Sequence, residues 1–343
     1  MGPQHQAPGP QNRPSGRRGH AAAPFRTSAD TVALVALAVV ALLGLLGVLT
    51  HLRDLDALAF IGATCVVLLL VRAVCSRNQC TEEAGGRCSS CLERALGGGA
   101  LELHYQPQVT LSGEAVGMEA LLRRRRPGGR PESAVALIER AEHRGLMPWL
   151  TRYVLDTAVA QAAAWHKEGL AVPVSVNISP TDALVPGFCA DVRACLRRHG
   201  LPGRALTVEV TESASVPDVP ALAAALAELR GQGVRISLDD FGTGHSSITR
   251  LRELPVDELK IDRSFVSRMA DDPRDAAVIR CSVGLAHSLG LGVVAEGVET
   301  RTDLRLLECM GVTVIQGWFV SPALAATEAT GWLRRAATAA SAG

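Results

Sequence analysis

Val234-Arg-Ile-Ser-Leu-Asp239 and Glu258-Leu-Lys-Ile-Asp262 are two short runs of branched aliphatic residues, each closed by a carboxylate, with a longer polar-punctuated stretch between them. A run of this length and composition reads as a strand. The same pattern recurs at Leu101 to Gln108, Gly117 to Arg123, Val172 to Ile178, Leu206 to Thr211, Gly292 to Ala295 and Val312 to Gln316. Amphipathic segments long enough for helices lie between most of them: Ser133 to Arg144, Trp149 to Glu168, Asp182 to His199, Pro220 to Gly231, Asp275 to Leu289 and Thr302 to Met310. Repeated β-α units over about 240 residues fit an α/β chain folded as a TIM-like (β/α)8 barrel, with an open doubly wound sheet as the alternative.

In such a barrel the loops after the strands surround one cavity, so the residues at the C-terminal strand ends set its chemistry. Here they are Glu119, Asn177, Glu209, Asp239 with Asp240, Lys260 with Asp262, Glu296 with Glu299, and Gln316. Oxygen donors of this kind suit hard divalent cations, and no Cys or His ends a strand, which argues against zinc in the cavity. Carboxylates brought together would repel one another unless a cation neutralised them, so the arrangement implies Mg²⁺ or Mn²⁺. Taken alone, Asp239-Asp-Phe-Gly-Thr-Gly244 is a helix N-cap on a glycine turn; what carries weight is the order in which such motifs end successive strands.

Lys and Arg total 35 against 34 Asp and Glu, so a net charge of +1 supplies no global field for a nucleic-acid polymer. The hydrophobic fraction is 48% with only 3% aromatic, and the mean hydropathy is +0.18, which points to part of the chain lying outside water. That surplus is concentrated at 31–50 and 57–75, two apolar stretches separated by His51-Leu-Arg-Asp-Leu-Asp56, with Arg72 near the end of the second. A helix of some twenty residues spans about 30 Å, so these read as a two-helix transmembrane hairpin; buried core helices or a cleaved signal are the alternatives. Arg13, Arg17, Arg18 and Arg26 before the first span and Arg72 and Arg77 closing the second, against Arg53 alone between them, place both termini on the cytoplasmic side. Residues 1–30 read as a disordered tail, 76–99 as a juxtamembrane segment ending in the hinge Gly97-Gly-Gly99, and 92–340 as the barrel.

Glu119-Ala-Leu-Leu-Arg123 resembles the signature of the EAL domain, the cyclic di-GMP phosphodiesterase of bacteria. Tyr105-Gln-Pro107, Val176-Asn-Ile-Ser179, Glu209-Val-Thr-Glu-Ser213, Asp239-Asp-Phe-Gly-Thr-Gly244, Leu254-Pro-Val-Asp-Glu-Leu-Lys-Ile-Asp262, Ala295-Glu-Gly-Val-Glu-Thr300 and Gln316-Gly317 resemble its other motifs, in its order. The resemblance implies a barrel whose first strand runs antiparallel to the rest. It also implies hydrolysis of cyclic di-GMP to the linear dinucleotide pGpG by a water activated between two ions. Glu119, Asn177, Glu209 and Asp239 would hold one ion, and Asp239, Asp240 and Glu296 the other. Lys260, Glu296 and Glu119 would be catalytic, while Arg123, Gln106, Asp262, Glu299 and Gln316 would line the substrate. Glu212, Gly242 and Gly244 would order the loop. A homodimer at the bacterial cytoplasmic (inner) membrane, multi-pass and with the barrel in the cytoplasm, completes the expectation. A non-catalytic cyclic di-GMP receptor at the membrane is the other reading; it is disfavoured because every metal carboxylate and the lysine is present.

Two departures from the family pattern stand out: Arg124, Arg125 and Arg126 follow Arg123 where a Trp is common, and His245 stands where a Tyr is frequent. The arginine run reads as a solvated basic rim or as extra steering of an anion. Nine Cys in a chain whose catalytic part is expected to be cytosolic do not make a disulfide framework. Cys75, Cys80, Cys88 and Cys91, spaced C-x4-C-x7-C-x2-C, are either independent thiols or a structural Zn²⁺ or redox site.

Overall fold

The computed structural model describes residues 100–125, 134–212, 216, 218–243 and 247–342. All of them belong to the second of the two units into which the chain divides, Gly86–Gly343. The strands are β1 (Ala100–Thr110), β2 (Ala115–Arg125), β3 (Val174–Asn177), β4 (Leu206–Thr211), β5 (Arg235–Phe241), β6 (Glu258–Ile261), β7 (Gly292–Ala295), β8 (Val314–Gln316) and the short β9 (Leu324–Ala325). Strands β2 to β8 pair in sequence, each parallel to the next, and β1 closes the ring by pairing antiparallel with both β2 and β8. The connection from β1 to β2 is only Leu111 to Glu114, turned by Gly113 at φ +88°. A parallel return needs a crossover of about a dozen residues, so this hairpin forces the antiparallel start.

The described helices are α1 (Ala134–His143), α2 (Met147–Lys167), α3 (Pro180–Ala183), α4 (Phe188–His199), α5 (Val219–Gly231), α6 (Ser247–Glu253), α7 (Arg263–Val266), α8 (Pro273–Leu289), α9 (Arg301–Cys309) and α10 (Ala326–Ala342). The single helix expected over Asp182 to His199 is two, because Pro186 and Gly187, the latter at φ +90°, break the backbone before α4. Strand alternation sends Val174, Val176, Val208, Ile236, Leu238 and Leu259 outward into the buried core shared with the helices. It turns Ser175, Thr207, Ser237 and Lys260 the other way, into the barrel, where they are equally buried. On α2, Leu150, Val154, Leu155, Ala158, Ala162 and Trp165 form the stripe that packs on the sheet. Trp165 meets Tyr105 of β1 edge-on, with ring centroids 5.0 Å apart, and donates its indole N–H to Thr330 Oγ1 of α10 at 2.9 Å.

The expected membrane location is corrected: among the described residues no helix is long and apolar enough to cross a membrane. The longest described helix, α2, runs for 21 residues but carries Arg152, Asp156 and Lys167 on its exposed side, so it is a barrel helix with one wet face. The segments 31–50 and 57–75, the tail 1–30, and the stretch 76–99 with Cys75, Cys80, Cys88 and Cys91 beside or within it lie outside the described residues. The solvated-rim reading of the arginine run is corrected as well. Arg124 shares the helix-facing side of β2 with Leu122 and is fully buried, whereas Arg125 is exposed and pairs with Glu102 at 3.3 Å.

Gly317 follows β8 where the backbone of Val298 leaves no room for a side chain; an added Cβ would overlap Val298 N, C and O. That contact ties the two loops together, since Val298 N–H donates to Gln316 O at 3.1 Å and Val298 O accepts from Phe319 N–H at 2.9 Å. Gly317→Ala is expected to lower unfolding stability by about 2–4 kcal/mol, in the range of backbone clashes that cannot relax. Gly284→Ala, on the open face of α8, should raise it by about 0.5–1 kcal/mol. Urea unfolding of the two variants checks both signs.

Candidate active site

Asn177, Glu209, Asp239, Lys260, Glu296 and Gln316 stand near or just past the C-terminal ends of β3 to β8, while Glu119 lies in the middle of the long β2, which runs on to Arg125; the barrel brings all seven to one place. Lys260 is the centre. Its ammonium, fully buried, lies 2.5 Å from Glu296 Oε1, 3.0 Å from Glu209 Oε2, 3.2 Å from Asp239 Oδ1 and 3.6 Å from Glu119 Oε2. Burial alone would strip the lysine of its proton, but the four carboxylates outweigh it and hold the ammonium charged well above its ordinary range.

One cation does not satisfy so many anions. Burial, followed by the charges of Glu119, Asp239 and Glu296, drives Glu209 well above the carboxylate range against the pull of Lys260. Burial and then Asp239 and Glu119 push Glu296 up to about 8 in spite of Lys260; burial and then Asp239 push Asp240 to about 6. Glu119 goes the other way. Burial would raise it, yet Lys260 and hydrogen bonds from Gln316 and Asn177 hold it below its usual value. Asn177 Nδ2 donates to Glu119 Oε1 at 2.9 Å and Gln316 Nε2 to Glu119 Oε2 at 2.5 Å. Gln316 is itself placed by Gln108, whose Nε2 donates to Gln316 Oε1 at 3.0 Å. Gly117 opposite leaves space for that amide, since a Cβ there would overlap Gln108 Oε1.

Asp239 and Asp240 are neighbours, and in a regular strand their side chains would point to opposite faces. The pairing of β5 with β6 slips between Leu238 and Phe241, and Asp240 takes φ +56°, the one non-glycine residue with positive φ among those described. This bulge folds Asp240 back, so that oxygens of Asp239, Asp240 and Glu296 lie within 4.8 Å of one another. The loop after it is tied down by Glu212, whose Oε2 accepts the Gly242 N–H at 2.9 Å while its own N–H donates to Asp239 O at 3.0 Å. Gly244 and His245 lie outside the described residues.

The donor set fits divalent cations on two observations besides its oxygen chemistry. Five carboxylates face one ammonium, and Glu209 Oε1 is buried with no hydrogen-bond partner. A buried anionic oxygen without a partner is costly unless something positive stands beside it.

A cleft of about 150 Å³ opens beside the cluster, lined by Gln106, Glu119, Glu296, Glu299 and Gln316 together with Arg263 and Trp318. Gln106 accepts from Gln316 Nε2 at 3.2 Å and donates to Ser321 O at 3.1 Å. Glu299 pairs with Arg263 at 3.2 Å. Asp262 caps α7 through Ser264 N–H at 3.0 Å, and Arg123 donates to the neighbouring Leu122 O at 2.9 Å; neither residue lines the cleft. Arg263 and Trp318 are additions to the expected set, the guanidinium lying 5.6 Å from the centre of the exposed indole. Their signal in the sequence is position: Arg263 and Trp318 each stand two residues past a strand end. A larger, apolar cleft of about 360 Å³ between α1, α2 and the ends of β2 and β3 contains Asn177 but none of the clustered carboxylates. The smaller cleft holds the chemistry.

The family model described as the EAL domain matches residues 90–323. The bifunctional diguanylate cyclase/cyclic di-GMP phosphodiesterase MucR of Pseudomonas aeruginosa is 40% identical over 231 residues, covering 67% of this chain and 34% of that protein. A cyclic di-GMP phosphodiesterase of the same organism is 36% identical over 234 residues, covering 68% of this chain and 40% of its own length. This chain thus spans well under half of the curated relatives it matches. Among solved structures, the P. aeruginosa MucR phosphodiesterase in complex with c-di-GMP superposes with a TM-score of 0.65 at 37% identity, covering 70% of this chain and 96% of that one. The EAL domain of Mycobacterium smegmatis DcpA gives 0.60 at 33% identity, covering 69% and 97%. With the family model matching across the barrel and its acidic cluster, the chain belongs to the EAL domain family.

Proposed function

We propose that this barrel hydrolyses cyclic di-GMP to the linear dinucleotide pGpG, with two divalent cations, Mg²⁺ or Mn²⁺, as cofactors. The observation that carries the reading is the gathering of Glu119, Glu209, Asp239 and Glu296 around one buried ammonium, with Asp240 folded in beside them. An anionic phosphodiester would not enter such a cluster unaided, and the relatives named for cyclic di-GMP supply the substrate class. Glu119, Asn177, Glu209 and Asp239 would hold one ion, and Asp239, Asp240 and Glu296 the second. When bound, the ions neutralise the phosphodiester and lower the pKa of a water.

The chain's own residues do the rest. Lys260 presents a compact charge beside the attacking oxygen and the phosphate, where negative charge grows in the transition state. Glu296 accepts the proton of the water as its oxygen bonds to phosphorus and the bond from phosphorus to the ribose oxygen breaks, the departing oxygen taking a proton from solvent to become a hydroxyl. Arg123 meets a phosphate oxygen, while Gln106, Asp262, Glu299 and Gln316 border the dinucleotide. Glu212 and Gly242 hold the β5 loop so that Asp239 and Asp240 stay aimed together. A homodimer, as the family implies, belongs to the same reading.

The test is turnover by the full chain with Mn²⁺ or Mg²⁺. Linear pGpG is expected, and Glu119→Ala and Lys260→Ala should each cut kcat by about 10²-fold or more. Tight binding with no product in the unaltered chain would move the protein to the receptor class. Glu209→Gln gives a second check, because it removes one of the mutually repelling charges. Without metal its thermal midpoint should rise above that of the parent chain while turnover is lost, an opposition expected where a site keeps repelling groups for function. A fall in the metal-free midpoint would contradict the charge imbalance described above.

A further inference from the structure

On the outer layer of the barrel, away from the strand ends, α2 and α4 bring three metal-ligating side chains together. Asp156 comes from α2; Cys195 and His199 come from one face of α4, one turn apart. Cys195 Sγ lies 3.7 Å and His199 Nε2 3.2 Å from the same oxygen, Asp156 Oδ1. All three donor atoms fall within 4.8 Å of one another. A tetrahedral zinc ion, about 2.3 Å from sulfur and about 2.1 Å from nitrogen and oxygen, sets its ligand atoms about 3.3–3.7 Å apart. The Cys195–Asp156 separation matches such an edge and the His199–Asp156 separation is within about 0.1 Å of one, so the hydrogen bonds that now join the three side chains hold their donor atoms close to the spacing an ion would need.

We propose that Asp156, Cys195 and His199 form a Zn²⁺ site that pins α2 to α4, with water as the fourth ligand. The thiol and imidazole suit a borderline transition metal rather than the hard cations suited to the strand-end cluster. Cys195 is buried, His199 is largely covered and Asp156 is half open, which leaves an entry path on the carboxylate side. Occupation replaces the proton on Cys195 by the metal and releases it to solvent; burial keeps that proton in place until an ion arrives, with the thiol pushed up to about 11. Arg198 opposes the ion, since its guanidinium pairs with Asp156 Oδ1 at 2.9 Å. That side chain is mostly exposed and can swing into water.

Co²⁺, whose thiolate complexes absorb in the near ultraviolet, is the probe, added to the full chain with Cys75, Cys80, Cys88 and Cys91 changed to Ser so that no thiol of that segment contributes. One equivalent is expected to give a thiolate-to-cobalt band that Zn²⁺ abolishes. Cys195→Ser and His199→Ala should each lose the band while keeping cyclic di-GMP turnover, which shows that the barrel is still folded. Arg198→Ala should keep the band and bind Co²⁺ up to about fivefold more tightly, the gain expected from removing one exposed ion pair. No band in the parent chain, or a band that persists in Cys195→Ser, would overturn the proposal. An unchanged or weaker affinity in Arg198→Ala would equally count against it.

Discussion

The barrel is organised around a shortage of positive charge. Lys260 is fully buried among four carboxylates, with a fifth, Asp240, folded in beside them. A buried ammonium needs anions close by, and these anions need it in return; removing either side leaves uncompensated charge in a place water does not reach. The balance is still incomplete, since Glu209, Asp240 and Glu296 are all pushed toward their protonated forms and one oxygen of Glu209 has no partner. A site left in this state by its own side chains is suited to receiving further cations and an anion that they carry.

Holding such a cluster together falls to the strands, and the outward half of each strand does that work. Val174, Val176, Val208, Ile236, Leu238 and Leu259 bury themselves against the helices. Apolar burial of this kind, about 25 cal/mol for each Å² removed from water, is the general source of stability that offsets the repulsion inside. Local departures from regular structure then aim the chemistry. The slip in β5 and the left-handed Asp240 turn two consecutive aspartates toward one point, at a backbone cost that Asp bears better than most residues. Gly317 and Gly117 supply close approach where a side chain would collide with Val298 or with Gln108.

Much of this was legible in the sequence because two signals coincide. Strands such as Leu206–Thr211, Glu258–Ile261 and Gly292–Ala295 lie where short aliphatic runs place them, and they bring Glu209, Lys260 and Glu296 to the cluster. What was not legible has identifiable causes. The split between α3 and α4 follows from Pro186 and Gly187, punctuation that a helical period over Asp182 to His199 overrides. The four-residue α7 is too short to show a period. Alanine-rich α10 carries little polar contrast to mark its faces. Arg124 looked like part of a wet basic run, yet alternation along β2 assigns it to the side of Leu122, and the structure buries it there. The antiparallel β1 had its own signal in the short gap around Gly113, which cannot hold a crossover.

That first strand has a consequence beyond topology. Because β1 lies between β2 and β8, its Gln106 and Gln108 reach Gln316 on one side, and Gln316 reaches Glu119 on the other. Glu119 thus receives amide N–H groups from Gln316 and Asn177, which together with Lys260 hold it below its usual value against burial, whereas Glu209, Asp240 and Glu296 are raised. The cluster is therefore polarised by the fold itself. At the β1–β3 end the protein completes the carboxylate's hydrogen bonding with neutral amides. At the β5–β7 end Asp239 and Glu296 share Lys260, with Asp240 beside them and no comparable amide side chain, and there Asp240 and Glu296 are pushed toward their protonated forms. A cation arriving in the cavity relieves most repulsion where acids are crowded together and no amide already occupies their oxygens. The antiparallel closure, by finishing one end of the cluster, leaves the other as the end with most to gain from metal.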